Sequence, residues 1–188
     1  LTLGERLGPG DAIVLLASSG IHANGVSLAR KLAERLPQGY ATRLPSGTTY
    51  GEALLAPTVL YSPVTAALQR AGIVPHYAAN ITGHGWRKVM RHQKALTYHF
   101  TQVPEVPEVL RFLQQATGSD DREAYGNLNM GAGFALFVAA ADAERTAALA
   151  NAAGVPALVA GEVRAGQKQV VLAPLGLTFG SDELHVRA

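Results

Sequence analysis

Three glycine-bearing segments hold the side chains with chemistry to offer. The first is Ser18-Ser19-Gly20-Ile21-His22-Ala23-Asn24-Gly25, set between an apolar run and a helical pattern. The first N–H groups of a helix have no partner within it, and the helix dipole adds to their pull on an anion. Two serines and two glycines let a ligand approach the backbone closely. His22 and Asn24 can donate hydrogen bonds to an oxyanion or an amide, which makes them the candidate catalytic pair. The same residues also read as a polar turn with Asn24 as helix N-cap.

The second segment is Thr82-Gly83-His84-Gly85, again after a short strand pattern and before a helical one. Gly83 and Gly85 free the backbone, and the helix start favours phosphate. His84, Lys88 and His92 follow at four-residue steps and are expected to share a face. A lysine between two histidines repels a metal and suits an anion; a solvated basic helix face is the plainer reading. His76 and His99 stand alone and read as structural or surface histidines.

The third segment is Asn127-Leu128-Asn129-Met130-Gly131-Ala132-Gly133. Asn129 offers an amide at the end of a strand, and Gly131 and Gly133 let something pass close. A turn into a strand beside a packed helix accounts for the same pattern. The glycines do not have G-x-G-x-x-G spacing, no P-loop lysine follows, and there is no serine nucleophile elbow. No metal site is expected.

The elements that must position these segments follow from periodicity. Ala12–Ala17 (AIVLLA) is a continuous apolar run and reads as a buried strand. Leu28, Leu32 and Leu36 place a helix over 25–36, ended by Pro37 and Gly39. Thr49 and Glu52 form a capping box for a short helix over 50–55. Ser62 as N-cap and Pro63 at the first helical position start another helix, closed by Gly72. Strands are expected over 76–81 and 95–101, with a helix over 83–91 between them. Helices follow over 107–116 and 120–125, then a central strand over 130–139. Asp142 caps an alanine-rich helix running to Ala153. The runs 157–163 and 169–173 read as a closing hairpin around Ala165-Gly166. The first nine residues read as a loop, and the chain from Gly180 onward as a loosely held end.

These elements make one α/β domain, residues 1–188, with a mixed sheet and helices on its faces. Composition agrees: 48% of residues are hydrophobic and 16% charged, which suits a well-buried fold and excludes a disordered chain. The absence of cysteine excludes disulfides and thiolate metal sites. A net charge of +2 without a basic run argues against nucleic acid or a membrane surface as partner. No apolar stretch approaches the ~20 residues of a membrane span, and no signal peptide is expected from the opening residues. Because it opens on Leu rather than Met, the chain is expected to be a piece of a longer protein.

At these residues the sequence resembles AIR synthase, the phosphoribosylformylglycinamidine cyclo-ligase family. SSGIHANGVSLAR (18–30), GEALLAPTVLY (51–61), ITGHG (81–85) and NMGAG (129–133) resemble four motifs of that family in order, and Gly161-Glu162-Val163 also fits. The similarity runs from about Pro9 to Ala173. It implies the family's C-terminal domain: a three-layer α/β/α unit with a mixed sheet, partly ferredoxin-like. It implies further that a separate N-terminal domain makes a homodimer and supplies most contacts to ATP and Mg²⁺. The active site is then the cleft between the domains. There ATP phosphorylates the amide oxygen of formylglycinamidine ribonucleotide, and an internal nitrogen displaces phosphate to close the imidazole ring. Carried over onto this chain, Ser19, Gly20, His22 and Asn24 reach the cleft. Thr82, Gly83 and Gly85 stand at the phosphate, with Asn129 and Gly131 nearby; His84, in the same turn, is a further phosphate-binding candidate of this chain. The implied location is cytoplasmic.

The chain departs from the family in the second segment. His84 stands where the family has glycine, Asn80 where a histidine is common, and Trp86-Arg87-Lys88 where an aromatic and Glu-Asn are usual. GYSL becomes Gly25-Val26-Ser27-Leu28. Three hypotheses follow. The first is the C-terminal half of an ATP-dependent cyclo-ligase of purine biosynthesis, binding a phosphoribosyl substrate and turning over nothing alone. The second is a related ligand-binding module that acts on a different phosphorylated substrate. The third is a metal hydrolase built on the histidines.

Overall fold

The computed structural model describes residues 4–184. Among them, seven strands form one mixed sheet: β1 (Ala12–Ala17), β2 (Tyr77–Asn80), β3 (Leu96–Phe100), β4 (Ala132–Val138), β5 (Ala157–Ala165), β6 (Gln169–Leu172) and β7 (Leu177–Gly180). Their order across the sheet is β2-β4-β1-β5-β3-β6-β7. β1 is apolar at every position because it lies inside the sheet with both faces covered. Ile13 and Leu15 join one hydrophobic cluster, whereas Ala12, Val14 and Leu16 join the other. This is the two-residue alternation of a strand expressed in two cores.

The first core is roofed by α1 (Val26–Arg35), α2 (Tyr50–Leu54), α4 (Glu108–Thr117) and α5 (Asp121–Asn127). Their contributions include Ala29, Leu32, Tyr50, Leu110, Leu113 and Tyr125. The second core is roofed by α3 (Ser62–Arg70) and α6 (Ala143–Ala152), through Val64, Leu68, Ala143, Ala147 and Ala150. The result is three layers, helix–sheet–helix. Within it, β1-α3-β2-β4-α6-β5 is a ferredoxin-like unit: β4 lies between β1 and β2, β5 flanks β1, and each of these pairs is antiparallel.

Local side-chain and backbone chemistry sets several helix ends. Thr49 and Glu52 form the capping box at α2 in both directions. Gly118 ends α4 in a left-handed C-cap, and Asp120 caps α5 by accepting from the N–H of Glu123 at 2.7 Å.

Other expectations are corrected. The runs around Ala165-Gly166 are not a hairpin: β3 inserts between them, pairing antiparallel with β5 and parallel with β6. Local turn chemistry could not reveal a strand arriving from residues 96–100. Ser62 is the first residue of α3, not its N-cap, and the Tyr61 position makes no side-chain cap. Asp142 stands at the N-cap of α6 without a capping hydrogen bond. The stretch before the end is not loose as far as Leu184. β7 pairs with β6, and Arg122 holds the Glu183 carboxylate at 2.7 and 2.8 Å. The parts of the expected loop at 1–3 and of the expected loose end at 185–188 lie outside the described residues.

Candidate functional site

The sheet brings the three glycine-bearing segments to one end. β1 and β2 both run antiparallel to β4, so they run parallel to each other. The chain leaves both at the same end, and there it enters β4. Leu16, Phe134 and Asn80 stand in one row across the three strands. With neighbouring strands about 4.8 Å apart, the exits of β1 and β2 are separated by only about 10 Å.

The loops also come close to each other. A methyl group placed on Gly83 would stand 3.8 Å from Asn24 Oδ1. Asn24 is not the cap of α1; that position is Gly25, in a left-handed conformation with no side-chain cap bond. The Asn24 amide instead donates to the Asn127 carbonyl, which ties the first loop to the third.

His22 is held by its own loop. Its Nε2 accepts from the Ser19 N–H at 3.0 Å. The Ser19 hydroxyl lies 3.0 Å from the same nitrogen but donates to the Pro57 carbonyl at 2.5 Å. The serine proton is therefore committed to a carbonyl, and Ser19 is no activated nucleophile. Nε2 is an acceptor, so the proton of the neutral ring sits on Nδ1. Burial holds the imidazole below its ordinary value. His22 thus offers a neutral donor rather than a cation. Beside it, Tyr61 donates to the Ala17 carbonyl at 2.8 Å, and burial pushes its hydroxyl up so that it remains protonated. A side chain at position 133 would collide with both: its Cβ would lie 1.9 Å from Tyr61 Oη and 3.0 Å from His22 Cε1.

Asn129 joins the loops from beneath. It is 1% exposed. Its Oδ1 accepts from the Ser18 hydroxyl at 2.8 Å and the Gly131 N–H at 3.1 Å, and its amide donates to the Gly20 carbonyl at 2.8 Å. Its own carbonyl accepts from Trp86 Nε1 at 2.8 Å. The Gly131 carbonyl is occupied in turn by the Ser18 N–H at 2.8 Å. Asn129 and Gly131 therefore position the first loop; of the candidate groups, Ser19 and Gly83 are exposed and His22, Asn24, Thr82 and His84 are half-buried. Gly20 is buried beneath them.

The Thr82–Gly85 turn closes on itself through the Gly85 N–H and the Thr82 carbonyl at 2.8 Å. Beyond it, Gly85–Arg91 winds as a 3-10 helix. This corrects the expected shared face: at three residues per turn, positions four apart diverge. His84 Nδ1 lies 2.8 Å from the Gly83 carbonyl. His92 lies elsewhere, its ring against Tyr77. Lys88 donates to the Thr82 hydroxyl. Arg87 is spent on carbonyls, reaching Gly126 at 2.9 Å and Glu183 at 2.6 Å. Trp86 is fully buried against Phe100 and Tyr125.

Among the described residues, three non-glycine residues have positive φ: His22 at 51°, His84 at 81° and Met130 at 43°. Each lies in one of the three segments. Left-handed backbone costs such residues about 1–2 kcal/mol, and strain of this kind concentrates at functional sites.

Two participants escaped the sequence reading. Tyr61 closes the GEALLAPTVLY motif but carried no independent signal. Arg91 shows its relation to Lys88 only once the helix is known to be 3-10. The remaining histidines do not gather: His76 bonds Asp11 at 2.9 Å, and His99 sits on β3. Among the described residues, no three His, Asp or Glu side chains converge as metal ligands.

Comparison with known proteins places this arrangement in context. Residues 8–173 match the family described as AIR synthase related protein, C-terminal domain. The chain is 37% identical over 162 residues to a phosphoribosylformylglycinamidine cyclo-ligase of Methanococcus maripaludis, covering 85% of this chain and 46% of that protein. It is 34% identical over 178 residues to the cyclo-ligase of Lachnospira eligens, covering 92% and 52%. The chain thus spans about half the length of the curated relatives it matches. Among solved structures, the E. coli hydrogenase maturation protein HypE superposes with a TM-score of 0.60 at 20% identity, over 98% of this chain and 53% of that one. A thiamine-monophosphate kinase of Stenotrophomonas maltophilia gives 0.54 at 21% identity, over 90% and 52%. These structures share the fold.

Proposed function

The chain belongs to the AIR synthase related family as its C-terminal domain, and from that premise we propose that it is the C-terminal half of a phosphoribosylformylglycinamidine cyclo-ligase. In this reading it supplies one wall of a substrate cleft, and an N-terminal half supplies the other. The observation that carries the proposal is the convergence of the β1–α1 loop and the Thr82–Gly85 turn, with Gly83 against Asn24.

The chemistry assigned to this half is recognition and charge stabilisation. Asn24, whose amide donates to the Asn127 carbonyl, offers an acceptor oxygen; His22 presents a neutral N–H, and the turn presents backbone N–H groups. Fixed donors of this kind stabilise an oxyanion as it develops, because they need no reorganisation. In the ring closure, the substrate's amide oxygen takes a phosphoryl group from ATP and then leaves with it as the internal nitrogen attacks. A neutral histidine donor suits the oxygen in that sequence without trapping the nucleophilic nitrogen as its protonated form. Asn129 and Gly131 fix the loop that carries His22. Among the described residues no three His, Asp or Glu side chains converge as metal ligands, and we assign ATP and Mg²⁺ mainly to the N-terminal half. We also assign to the parent protein the homodimer and the cytoplasmic location expected of the family.

Calorimetry with aminoimidazole ribonucleotide tests the proposal. Weak binding to the 188-residue chain, weaker still in His22→Ala, and no turnover by either is the expected result. Absence of heat with both proteins contradicts the cleft assignment. Binding of other phosphorylated compounds in preference to this ribonucleotide favours the alternative, a related module for a different phosphorylated substrate.

A further inference from the structure

The 3-10 helix over Gly85–Arg91 rearranges the basic residues of this segment. At three residues per turn, positions three apart eclipse one another. Lys88 and Arg91 therefore stand in one row, facing the same side. Among the described residues, neither has a carboxylate within ion-pair distance; the ion pairs are His76–Asp11, Arg122–Glu183 and Arg164–Glu162.

Both cations are nonetheless directed at the Thr82–Gly85 turn. Lys88 is partly buried, with its ammonium on the Thr82 hydroxyl. Arg91 Nη2 lies 3.5 Å from His84 Nδ1. Burying an ammonium near a second cation is unfavourable unless an anion compensates it. Burial first, and then the Arg91 charge, hold Lys88 below its ordinary value. The neighbouring cations are occupied otherwise: Arg87 on carbonyls, and Lys94 on the carbonyls of Glu5 and Leu7 at 2.7 and 2.6 Å. Lys88 and Arg91 are the cations of this segment that no carbonyl or carboxylate occupies.

We propose that Lys88, Arg91 and the Thr82 hydroxyl form a subsite for a phosphate monoester dianion of the substrate. This deepens the cleft reading and rests on it. Two cations match the two charges of the dianion. The ammonium, guanidinium and hydroxyl together supply donors to its three terminal oxygens. A carboxylate would leave one positive charge uncompensated.

The experiment is a titration of the ¹⁵N-labelled chain with ribose 5-phosphate, ribose and inorganic phosphate, read from backbone amide shifts. Ribose 5-phosphate is expected to move the amides of Thr82, Gly83 and His84 and those of the helix after them; ribose alone is expected to move none. Lys88→Gln and Arg91→Gln are each expected to weaken ribose 5-phosphate by roughly tenfold, the loss typical of a hydrogen bond to a charged group. Arg70→Gln, the same charge change on α3, is expected to leave the affinity unchanged. Arg91 is exposed, so its variant keeps the test decisive should Lys88→Gln fail to fold. Inorganic phosphate binding as tightly as ribose 5-phosphate supports a subsite that reads phosphate alone; tighter binding of ribose 5-phosphate supports one that reads the sugar as well. Equal affinity of ribose 5-phosphate for wild type and the double variant overturns the assignment. If the Ser19 and Asn24 amides still respond in that case, the cleft reading survives. If no amide of either loop responds in the wild type, both readings fall.

Discussion

The backbone N–H of Ser19 donates to His22 Nε2 at 3.0 Å, and that bond settles which proton the imidazole carries. A second proton on Nε2 would set two donors against each other. Geometry and burial thus act in the same direction on His22.

The consequence for pH has a definite sign. The folded pKa of His22 lies below its unfolded value of about 6.5, so the unfolded chain binds more protons in the interval between them. Stability therefore rises with pH through that interval and is lost as pH falls from neutrality into it. His92 is lowered as well, by burial and by Lys94, and contributes with the same sign. Urea midpoints measured between pH 7.5 and 5 are expected to fall, and to fall less steeply in His22→Gln. An His22 resonance that titrates above 6.5 would show the tautomer argument to be wrong.

Asn129 is the residue on which the loops rest. Asn129→Ala leaves the Ser18 hydroxyl, the Gly131 N–H and the Gly20 carbonyl without their partner. Unsatisfied buried polar groups cost about 1–3 kcal/mol apiece, so a loss of about 3 kcal/mol in chemical denaturation is expected. A loss below about 1 kcal/mol would mean that the network does not hold the loop.

Gly85 has φ of 53°, and a Cβ there would lie 2.2 Å from the Tyr125 carbonyl oxygen. The obstruction is backbone, which cannot swing aside. Gly85→Ala is expected to destabilise by about 3 kcal/mol or more through steric overlap and backbone strain together. A thermal melt like that of the wild type would contradict this packing.

His84 presents the opposite case, a side chain on backbone that favours glycine. His84→Gly releases about 1–2 kcal/mol of left-handed strain and gives up one exposed bond to the Gly83 carbonyl. The variant is expected to melt at or above the wild-type temperature. A clear drop would assign the imidazole a structural role in the turn.

Much of this was legible in the residues themselves. AIVLLA, a six-residue apolar run bounded by turn residues, read as a buried strand, and the Thr49–Glu52 box and Gly118 marked helix ends by local chemistry. The three glycine-bearing segments stood out because glycine, asparagine and histidine between a strand and a helix are poor core formers. Relations set by long-range pairing were hidden. The insertion of β3 between β5 and β6 depends on residues about 60 to 70 positions apart and leaves no mark on the 157–173 stretch. The 3-10 winding of Gly85–Arg91 was hidden too, because GWRKVMR carries ordinary helical propensity. The burial of Trp86 against Phe100 and Tyr125, together with the close approach at Gly85, accompanies the tighter turn. Lys88 consequently shares a row with Arg91, not with the flanking histidines.

The most direct measurement is a crystal structure of the chain with aminoimidazole ribonucleotide bound. The account predicts one ligand spanning the two loops, within hydrogen-bonding distance of both the Ser19–Asn24 segment and the Thr82–Gly85 turn. A ligand seated elsewhere, or touching only one loop while Asn24 and Gly83 lie apart, would contradict it.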